Sequence, residues 1–390
     1  MPKRDGRAKA GHPWIFSNEI NMTQDLKALV PGSLVTVADS RGEVLGTYMF
    51  NPHSLICGRR LSGSANAKVD TGWWEERLRQ AVRRRGFKEP YYRLAHSEGD
   101  DLPGLVMDRF GDVLVGQITT AGIEAQRDAI EAAVTKLLGK ASFVWRQDTS
   151  ARLMENLPVS DDVTVHGEVP EGPLPLRENG LEFFADVRGG QKTGWFFDQR
   201  ANRAFMGELV SRLPEGARVL DVYCHIGGFG LNMLAGGAAH ATFVDASRHA
   251  LELAEKSAEA QGVADKCEFL VNAAFDVLEG MAAENARFEV VVCDPPAFIK
   301  SAKTIPQGLK GYEKVAKLAA ALVRGGGYLT LCSCSHHASV EEFVAASIRG
   351  VRRAGRSGRV VRLAGADIDH PQHMMLAENS YLKCLTLQLD

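Results

Sequence analysis

Two short stretches hold residues whose types and spacing could do covalent chemistry. Cys332-Ser-Cys-Ser335 offers two thiols at the end of an apolar run, with His336 and His337 directly behind them. A thiolate is a strong nucleophile, but a free cysteine titrates near ~8.5, so a reactive thiol here needs positive charge or backbone N–H groups close by. Positions two apart on a strand share a face, so alternation does not separate the two thiols. Distance along the strand does: Cys334 is nearer the carboxyl end. The second stretch, Asp294-Pro-Pro-Ala-Phe298, also closes an apolar run. Two prolines fix an extended turn and remove two N–H donors, leaving a rigid ledge of carbonyls beside the Asp294 carboxylate and the Phe298 ring. A flat, extruded base fits such a ledge, its polar edge on Pro295 and Pro296 and its face on Phe298. The plain alternatives are an inert buried thiol in one case and a strand-terminating turn in the other.

A third stretch, Val219-Leu-Asp-Val-Tyr-Cys-His-Ile-Gly-Gly-Phe-Gly230, runs from an apolar strand into a glycine cluster that opens a helix. Glycines 227, 228 and 230 do not follow the G-x-G-x-x-G spacing of a dinucleotide loop, and a carboxylate at Asp221 would repel a pyrophosphate. Asp221 suits a ligand that is cationic at this end. S-adenosylmethionine, with its ammonium and sulfonium groups, fits that description. Glycines that merely allow close helix packing are the competing explanation of the loop.

The elements that must hold these residues come in a regular rhythm. From about residue 195 the chain alternates: helix 199–213, strand 218–223, helix 230–235, strand 241–244, helix 246–261, strand 267–271, helix 275–283, strand 288–293, helix 311–323, strand 328–333 and helix 340–353. Two late strands follow, at 360–363 and 381–389. Such alternation predicts an α/β domain with a doubly wound, Rossmann-like parallel sheet and right-handed crossovers. In open sheets of this kind ligands sit outside the carboxyl ends of the strands. Five consecutive strand ends carry Asp221, Asp245, Asn272, Asp294 and Cys334. Asp245, one strand–helix unit after Asp221, is placed to accept hydrogen bonds from a ribose diol, although it could equally cap the helix behind it.

Carbon 5 of a pyrimidine is a poor nucleophile. An enzyme that methylates it first needs a thiolate to add at carbon 6, and Cys334 beside a Pro-Pro ledge and a donor loop supplies the parts. Two rivals remain. An enzyme methylating an exocyclic amine would need Asp-Pro-Pro but no thiol, and an RNA-binding assembly factor could keep the fold without turnover.

Length and composition agree with a multidomain globular protein. The 390 residues exceed one ordinary core, and the expected division is residues 1–68, 69–188 and 189–390. No apolar run is long enough for a membrane span or a signal peptide, which predicts a cytoplasmic protein with no membrane partner. The seven cysteines are odd in number and scattered, as reduced thiols are, and no second Cys/His pair accompanies Cys332 and Cys334, so no metal is expected. The net charge is only -2, but residues 1–93 hold 16 Lys and Arg against 9 Asp and Glu. A basic front end is the footprint of a phosphate-binding surface, although for any single cluster, such as Arg83-Arg-Arg85, a solvated helix face explains it as well.

Within that front end, short β-type runs at 33–38, 44–50 and 55–61 separated by turn signals suggest a small β-barrel. Arg7 and Trp14, in Gly6-Arg-Ala-Lys-Ala-Gly-His-Pro-Trp-Ile-Phe16, put a cation beside aromatics, a mixture suited to RNA backbone and bases, though Trp14 and Phe16 also suit a plain core. A linker helix over 73–85 precedes strands near 91–94, 104–108, 113–119, 143–146, 163–168 and 181–186 with one amphipathic helix over 124–138, an α+β insert.

With these residues in place, the chain resembles a family: S-adenosylmethionine-dependent 5-methylcytosine methyltransferases of large-subunit ribosomal RNA, class I enzymes carrying an amino-terminal PUA domain. The resemblance spans nearly the whole length. It rests on Gly11-His-Pro-Trp-Ile-Phe16, Glu98-Gly-Asp-Asp-Leu-Pro-Gly-Leu105, Asp108-Arg-Phe-Gly-Asp112, Glu178-Asn-Gly180, Gly190-Gln-Lys-Thr-Gly194 with Asp198-Gln-Arg200, Tyr223 to Gly230, Asp294 to Phe298, Ser333-Cys-Ser335 and Tyr381-Leu-Lys383. It implies S-adenosyl-L-methionine against Asp221, Tyr223, Gly227, Phe229 and Asp294, with Asp245 on its ribose and Asn272 near its adenine. The Gln191 to Arg200 run, with Thr193 and Asp198, would close the methionine end. It further implies Asp294 on the cytosine edge, Cys334 as nucleophile, ribosomal RNA as partner and a homodimer. Position 297 is Ala where a different group of cytosine-5 RNA methyltransferases has a second cysteine, so another base must take the carbon-5 proton.

Overall fold

The computed structural model describes residues 5–390, which divide into two compact units. The first comprises the chain to residue 174, residues 186–197 and residues 368–379; the second comprises residues 175–185, 198–367 and 380–390. The first unit takes in both the PUA-like part and most of the expected α+β insert, while the insert's expected strand at 181–186 falls, as Leu181–Ala185, in the second.

The first unit holds two sheets. A four-stranded antiparallel sheet runs Trp14–Ile15, Gly58–Ser62, Val44–Phe50, Ser33–Ala38 in spatial order. The last two in that spatial order match their sequence runs at Ser33–Ala38 and Val44–Phe50, whereas the strand expected at 55–61 begins only at Gly58, after the turn around Ser54. A five-stranded sheet follows in chain order: Tyr91–His96, Leu105–Phe110, Val113–Ile118, Ser142–Gln147 and Ser160–His166. Only its third and fourth strands are parallel, because helix Ala121–Leu138 crosses between them. That helix and helix Thr71–Arg85 cover one face and bury Trp74, Leu78, Ile130, Val134 and Trp145. Charges are buried with partners: Arg93 on Asp108, Arg85 on Asp100, and Arg59 on Glu98 and Glu155. Arg84 also reaches Asp100, at 2.9 Å, so much of the basic surplus of the front end is internally neutralised.

The second unit is built on a seven-stranded sheet of β1 (Arg218–Val222), β2 (His240–Asp245), β3 (Cys267–Val271), β4 (Phe288–Cys293), β5 (Val323–Ser333), β6 (Gly358–Ala364) and β7 (Lys383–Leu389), in the order β3-β2-β1-β4-β5-β7-β6. Strands β1 to β5 pair in parallel; β7 is antiparallel to both β5 and β6. The parallel expectation therefore stops at β5. The crossovers are α1 (Arg200–Val210) ahead of the sheet, then α2 (Gly228–Ala235), α3 (Arg248–Ala260), α4 (Ala274–Ala283), α5 (Ile305–Leu322) and α6 (Val340–Arg353). Valine-rich β1 and β4 are buried on both faces, as central parallel strands must be. Helix α5 starts six residues before its expected start at 311, since Pro306 sits in its first turn, where its missing N–H costs nothing. A hairpin, Leu174–Glu178 with Leu181–Ala185, supplies Glu178, Asn179 and Phe184 to this unit, with the Phe184 N–H bonded to Ser257 Oγ on α3. No helix among the described residues is long and apolar enough to cross a membrane.

Candidate active site

Because β1 to β5 are parallel, their carboxyl ends lie along one edge of the sheet, and that edge gathers Asp221, Asp245, Asn272, Asp294 and Cys334.

At the centre, the turn after β1 is held in unusual backbone. Tyr223, His225 and Gly227 all have positive φ (62°, 51° and 80°). For the two non-glycine residues this costs on the order of 1–3 kcal/mol each, a strain typical of ligand loops. The turn is pinned from outside: the Cys224 N–H donates to Val244 O at 3.1 Å and the His225 N–H to Asp245 Oδ2 at 2.9 Å. At Gly230 a Cβ would lie 2.1 Å from the Phe243 ring, so only glycine lets α2 approach β2 this closely. Asp221 is fully buried below the start of α2, where Oδ2 accepts the Gly230 N–H at 2.8 Å while Oδ1 has no hydrogen-bond partner among the described residues. Burial pushes its pKa up to about 7; the Gly230 N–H and Arg203 act against the shift, while Asp294 and Asp245 add to it. A buried carboxyl with an orphaned oxygen suits a cationic ligand, so the residues present fit S-adenosylmethionine at this end. His225, half-buried near Arg203 and His249, has its pKa lowered to about 4, chiefly by desolvation.

Asp245 is half-buried at the end of β2. Its Oδ1 accepts the Ser247 N–H at 2.8 Å and its Oδ2 the His225 N–H. The helix cap is Ser247, whose Oγ accepts the Ala250 N–H, so Asp245 is not needed as an N-cap. Asn272 is exposed, and its Oδ1 accepts the adjacent Ala273 N–H at 2.7 Å. Gly227 is the N-cap residue of α2, Phe229 lies in its buried first turn, and Tyr223 packs partly buried against the core.

Asp294 leaves the end of β4 half-buried, with its backbone N–H on Val222 O at 3.2 Å. Its Oδ2 accepts from Gln199 Nε2 at 3.0 Å, and Gln199 Oε1 in turn accepts from Asn202 Nδ2 at 2.6 Å. Pro295 is buried and Pro296 exposed. The Phe298 ring packs 4.9 Å from the Tyr312 ring and over Gly311, so at least one of its faces is taken by α5.

The two thiols of the Cys-Ser-Cys-Ser run have different surroundings. Cys332 is buried within β5, directly across from Cys384 on β7, and both the Cys384 thiol and burial raise its pKa well above the ordinary thiol range. Cys334 lies beyond the last residue of β5 and is half-buried. The flanking serines are both buried and both bonded to the Tyr312 hydroxyl, Ser333 at 2.8 Å and Ser335 at 2.7 Å. Ser335 Oγ also accepts the Ile299 N–H at 3.2 Å, which ties this turn to the Asp294–Phe298 turn. Lys383, buried at the start of β7, donates through Nζ to Ser335 O at 2.7 Å and Tyr381 O at 3.1 Å. The His336 ring lies 5.2 Å from Tyr381.

The remaining sequence candidates are spread more widely. Asp198 is buried in the second unit and accepts from the Tyr381 hydroxyl at 2.6 Å. Arg200 lies 3.6 Å from Glu178 and 3.8 Å from Asp367. Gln191 and Thr193 belong to the first unit; Gln191 is exposed, and the Thr193 hydroxyl is buried on Asp108 at 2.5 Å. Also in that unit, Arg7 pairs with Glu19 at 2.8 Å and lies over the Phe16 ring, while the Trp14 indole N–H donates to Glu98 at 2.6 Å. Sequence reasoning missed Asn202 and Tyr312 altogether; it placed Gln199 only within the run closing the methionine end, and quoted Ser333, Ser335 and Lys383 as motif residues without a role of their own. Lys383, a cation opening an otherwise apolar strand, carried a local signal; Tyr312 carried none, since its partners lie more than 20 residues away.

Two family models match the chain. Residues 1–63 match the PUA-like domain family, and residues 100–358 match the S-adenosylmethionine-dependent methyltransferase family. The chain is 34% identical over 386 residues to ribosomal RNA large subunit methyltransferase I of Aeromonas hydrophila, covering 97% of this chain and 95% of that one. It is 32% identical to the protein of the same name from Klebsiella pneumoniae, over 95% and 93% of the two chains. Among solved structures, a SAM-dependent methyltransferase from Streptococcus mutans superposes with a TM-score of 0.82 at 18% identity over 100% of this chain and 98% of the other. A methyltransferase solved with SAH gives 0.82 at 19% identity over 99% and 97%. At those identities the likeness speaks for the fold.

Proposed function

The chain belongs to the S-adenosylmethionine-dependent methyltransferases, and on that premise we propose that it methylates carbon 5 of a cytosine in large-subunit ribosomal RNA through a thiol adduct at Cys334. The RNA class is supported by full-length relatives named for that substrate and by the PUA-like match. The observation that carries the chemistry is the position of Cys334, half-buried beyond the end of β5, in a turn bonded through Ser335 to the Asp294 turn.

The donor supplies an electrophilic methyl group, and Asp221, Tyr223, Gly227, Phe229, Asp245, Asn272 and Asp294 would hold it at the ends of β1 to β4. On the acceptor side, the Cys334 thiolate forms a bond to carbon 6 and pushes the electron pair of the 5,6 double bond toward carbon 5. Asp294, oriented by Gln199 and Asn202, holds the cytosine edge and assists its protonation. Once carbon 5 carries the methyl group, a base removes its proton, the 5,6 double bond reforms and the bond to carbon 6 breaks, returning the thiolate. Cys332 and Cys293 are poorer nucleophiles, since both are buried and their pKa values are raised, that of Cys293 mainly by desolvation.

RNA in which the target cytosine is 5-fluorocytosine tests this reading, because fluorine at carbon 5 cannot leave as a proton does. A stable protein–RNA adduct that requires both the donor and Cys334 is the expected result. Full methyl transfer by Cys334→Ala would instead point to an exocyclic amine as acceptor.

A further inference from the structure

The side chain of Lys383 spans the residue it has no backbone contact with. Lys383 is the cross-strand partner of Ser333, and its ammonium reaches the carbonyl of Ser335, so the chain of four methylenes runs past position 334. Its second acceptor is the carbonyl of Tyr381. The side chain is 2% exposed. An ammonium so far out of water is costly unless opposite charge compensates it, yet both acceptors are neutral carbonyls. The groups facing it that can carry negative charge are the Cys334 thiol and Glu342.

We propose that Lys383 is the positioning residue of Cys334: anchored on Ser335 and Tyr381, its ammonium fixes the turn and favours the thiolate over the thiol. This rests on the reading of Cys334 as the nucleophile. The surrounding groups leave the role to Lys383. Tyr312, from α5, is bonded to both serines and is held neutral by burial, which raises its pKa. Asp294, at the end of β4, is oriented by Gln199 and has no positive charge to offer a thiolate. Glu342, in the first turn of α6, and Cys334 both favour the charged form of Lys383, against a larger burial effect that lowers its pKa from the ordinary lysine range. His336 stacks near Tyr381 but is exposed to water.

The test is alkylation of the full-length protein by iodoacetamide across a pH series, with the Cys334 peptide followed by mass spectrometry. In the unaltered protein Cys334 should react as a thiol titrating below the free value of ~8.5. In Lys383→Met its rate near neutral pH should fall about tenfold and the profile move to higher pH, with Lys383→Arg restoring most of the rate. His336→Gln should leave the profile in place. Overlapping profiles for Lys383→Met and the unaltered protein overturn the proposal, as does a shift produced by His336→Gln in place of Lys383→Met. So does a thiol in the unaltered protein that titrates at or above ~8.5, a result that needs no folded variant. Methyl transfer surviving Cys334→Ala would remove the nucleophile reading alone and leave the alkylation result standing.

Discussion

The Tyr312 hydroxyl lies 2.7 Å from Ser335 Oγ, and the same oxygen receives Ser333 at 2.8 Å, so one phenol on α5 brackets Cys334 on both sides. The bracket is buried, and Ser335 passes it on to the Ile299 N–H at the other strand end. It holds the Cys334 turn and the Asp294 turn in one geometry.

Breaking the bracket should uncouple the turns. Ser335→Ala strands the buried Ile299 N–H and should cost about 1–3 kcal/mol of stability. Tyr312→Phe removes both serine contacts. A double-mutant cycle on unfolding free energy should show coupling between the two; additive losses would mean that the hydroxyls act independently.

If Asp221 faces the donor, donor binding should depend on pH. Its folded pKa of about 7 lies above the ordinary value of 3.8, so its protonated form is favoured on folding. That contribution is full below about pH 4 and is lost as pH rises through 7. Without donor, stability should fall over this window, and Asp221→Asn should flatten the fall. A cationic donor favours the carboxylate, so its binding should release a proton near pH 7, measurable by calorimetry in buffers of differing ionisation enthalpy. Identical heats in those buffers would contradict this.

Gly230→Ala should be destabilising by about 1–3 kcal/mol through overpacking against Phe243, and Phe243→Leu in the same chain should recover part of the loss. Thermal unfolding reads both. An unaffected melting temperature in Gly230→Ala would show that the helix start can shift freely.

Gln199→Leu should leave donor binding within a few-fold and reduce methyl transfer by up to about 100-fold, because Asp294 loses the donor that orients it. Single-turnover kinetics separate the two effects. A loss confined to KM would assign Gln199 to substrate docking instead.

Arg203→Met should destabilise the second unit by about 3–5 kcal/mol, since Glu178 is buried and would keep its charge without its 2.7 Å partner. The companion change Glu178→Gln in that background should restore much of the stability in denaturant unfolding.

The parts of the site legible in the sequence are those fixed by local pattern. Apolar runs ending at Asp221, Asp245, Asn272 and Asp294 locate parallel strands, and parallel strands put those residues on one edge. The Pro-Pro turn and the exposure difference between Cys332 and Cys334 follow from position along a strand. Contacts between distant segments were not legible. Tyr312 reads as an ordinary helix-face aromatic, and although Lys383 stands out as a cation within a late strand, neither spacing nor propensity records which residues, 21 to 48 positions away, they bond. The strand Leu174–Glu178 was also missed, although Leu174, Leu176 and Glu178 alternate with exposed Pro175 and Arg177, because the proline and glycine around it read as loop.

The sheet order also dictates a sequence of events during synthesis. Strand β6 is made before β7, yet its neighbour in the sheet is β7, so it has nothing to pair with when it leaves the ribosome. At roughly 5–20 residues per second, the stretch from Cys334 to Lys383 takes seconds to appear. Throughout that interval β5 is an open edge, a template for wrong pairing, and the thiol already made has no ammonium beside it. Insertion of one antiparallel strand ends both conditions at once: the step that seals the nascent sheet against aggregation is the step that brings Lys383 to the Cys334 turn.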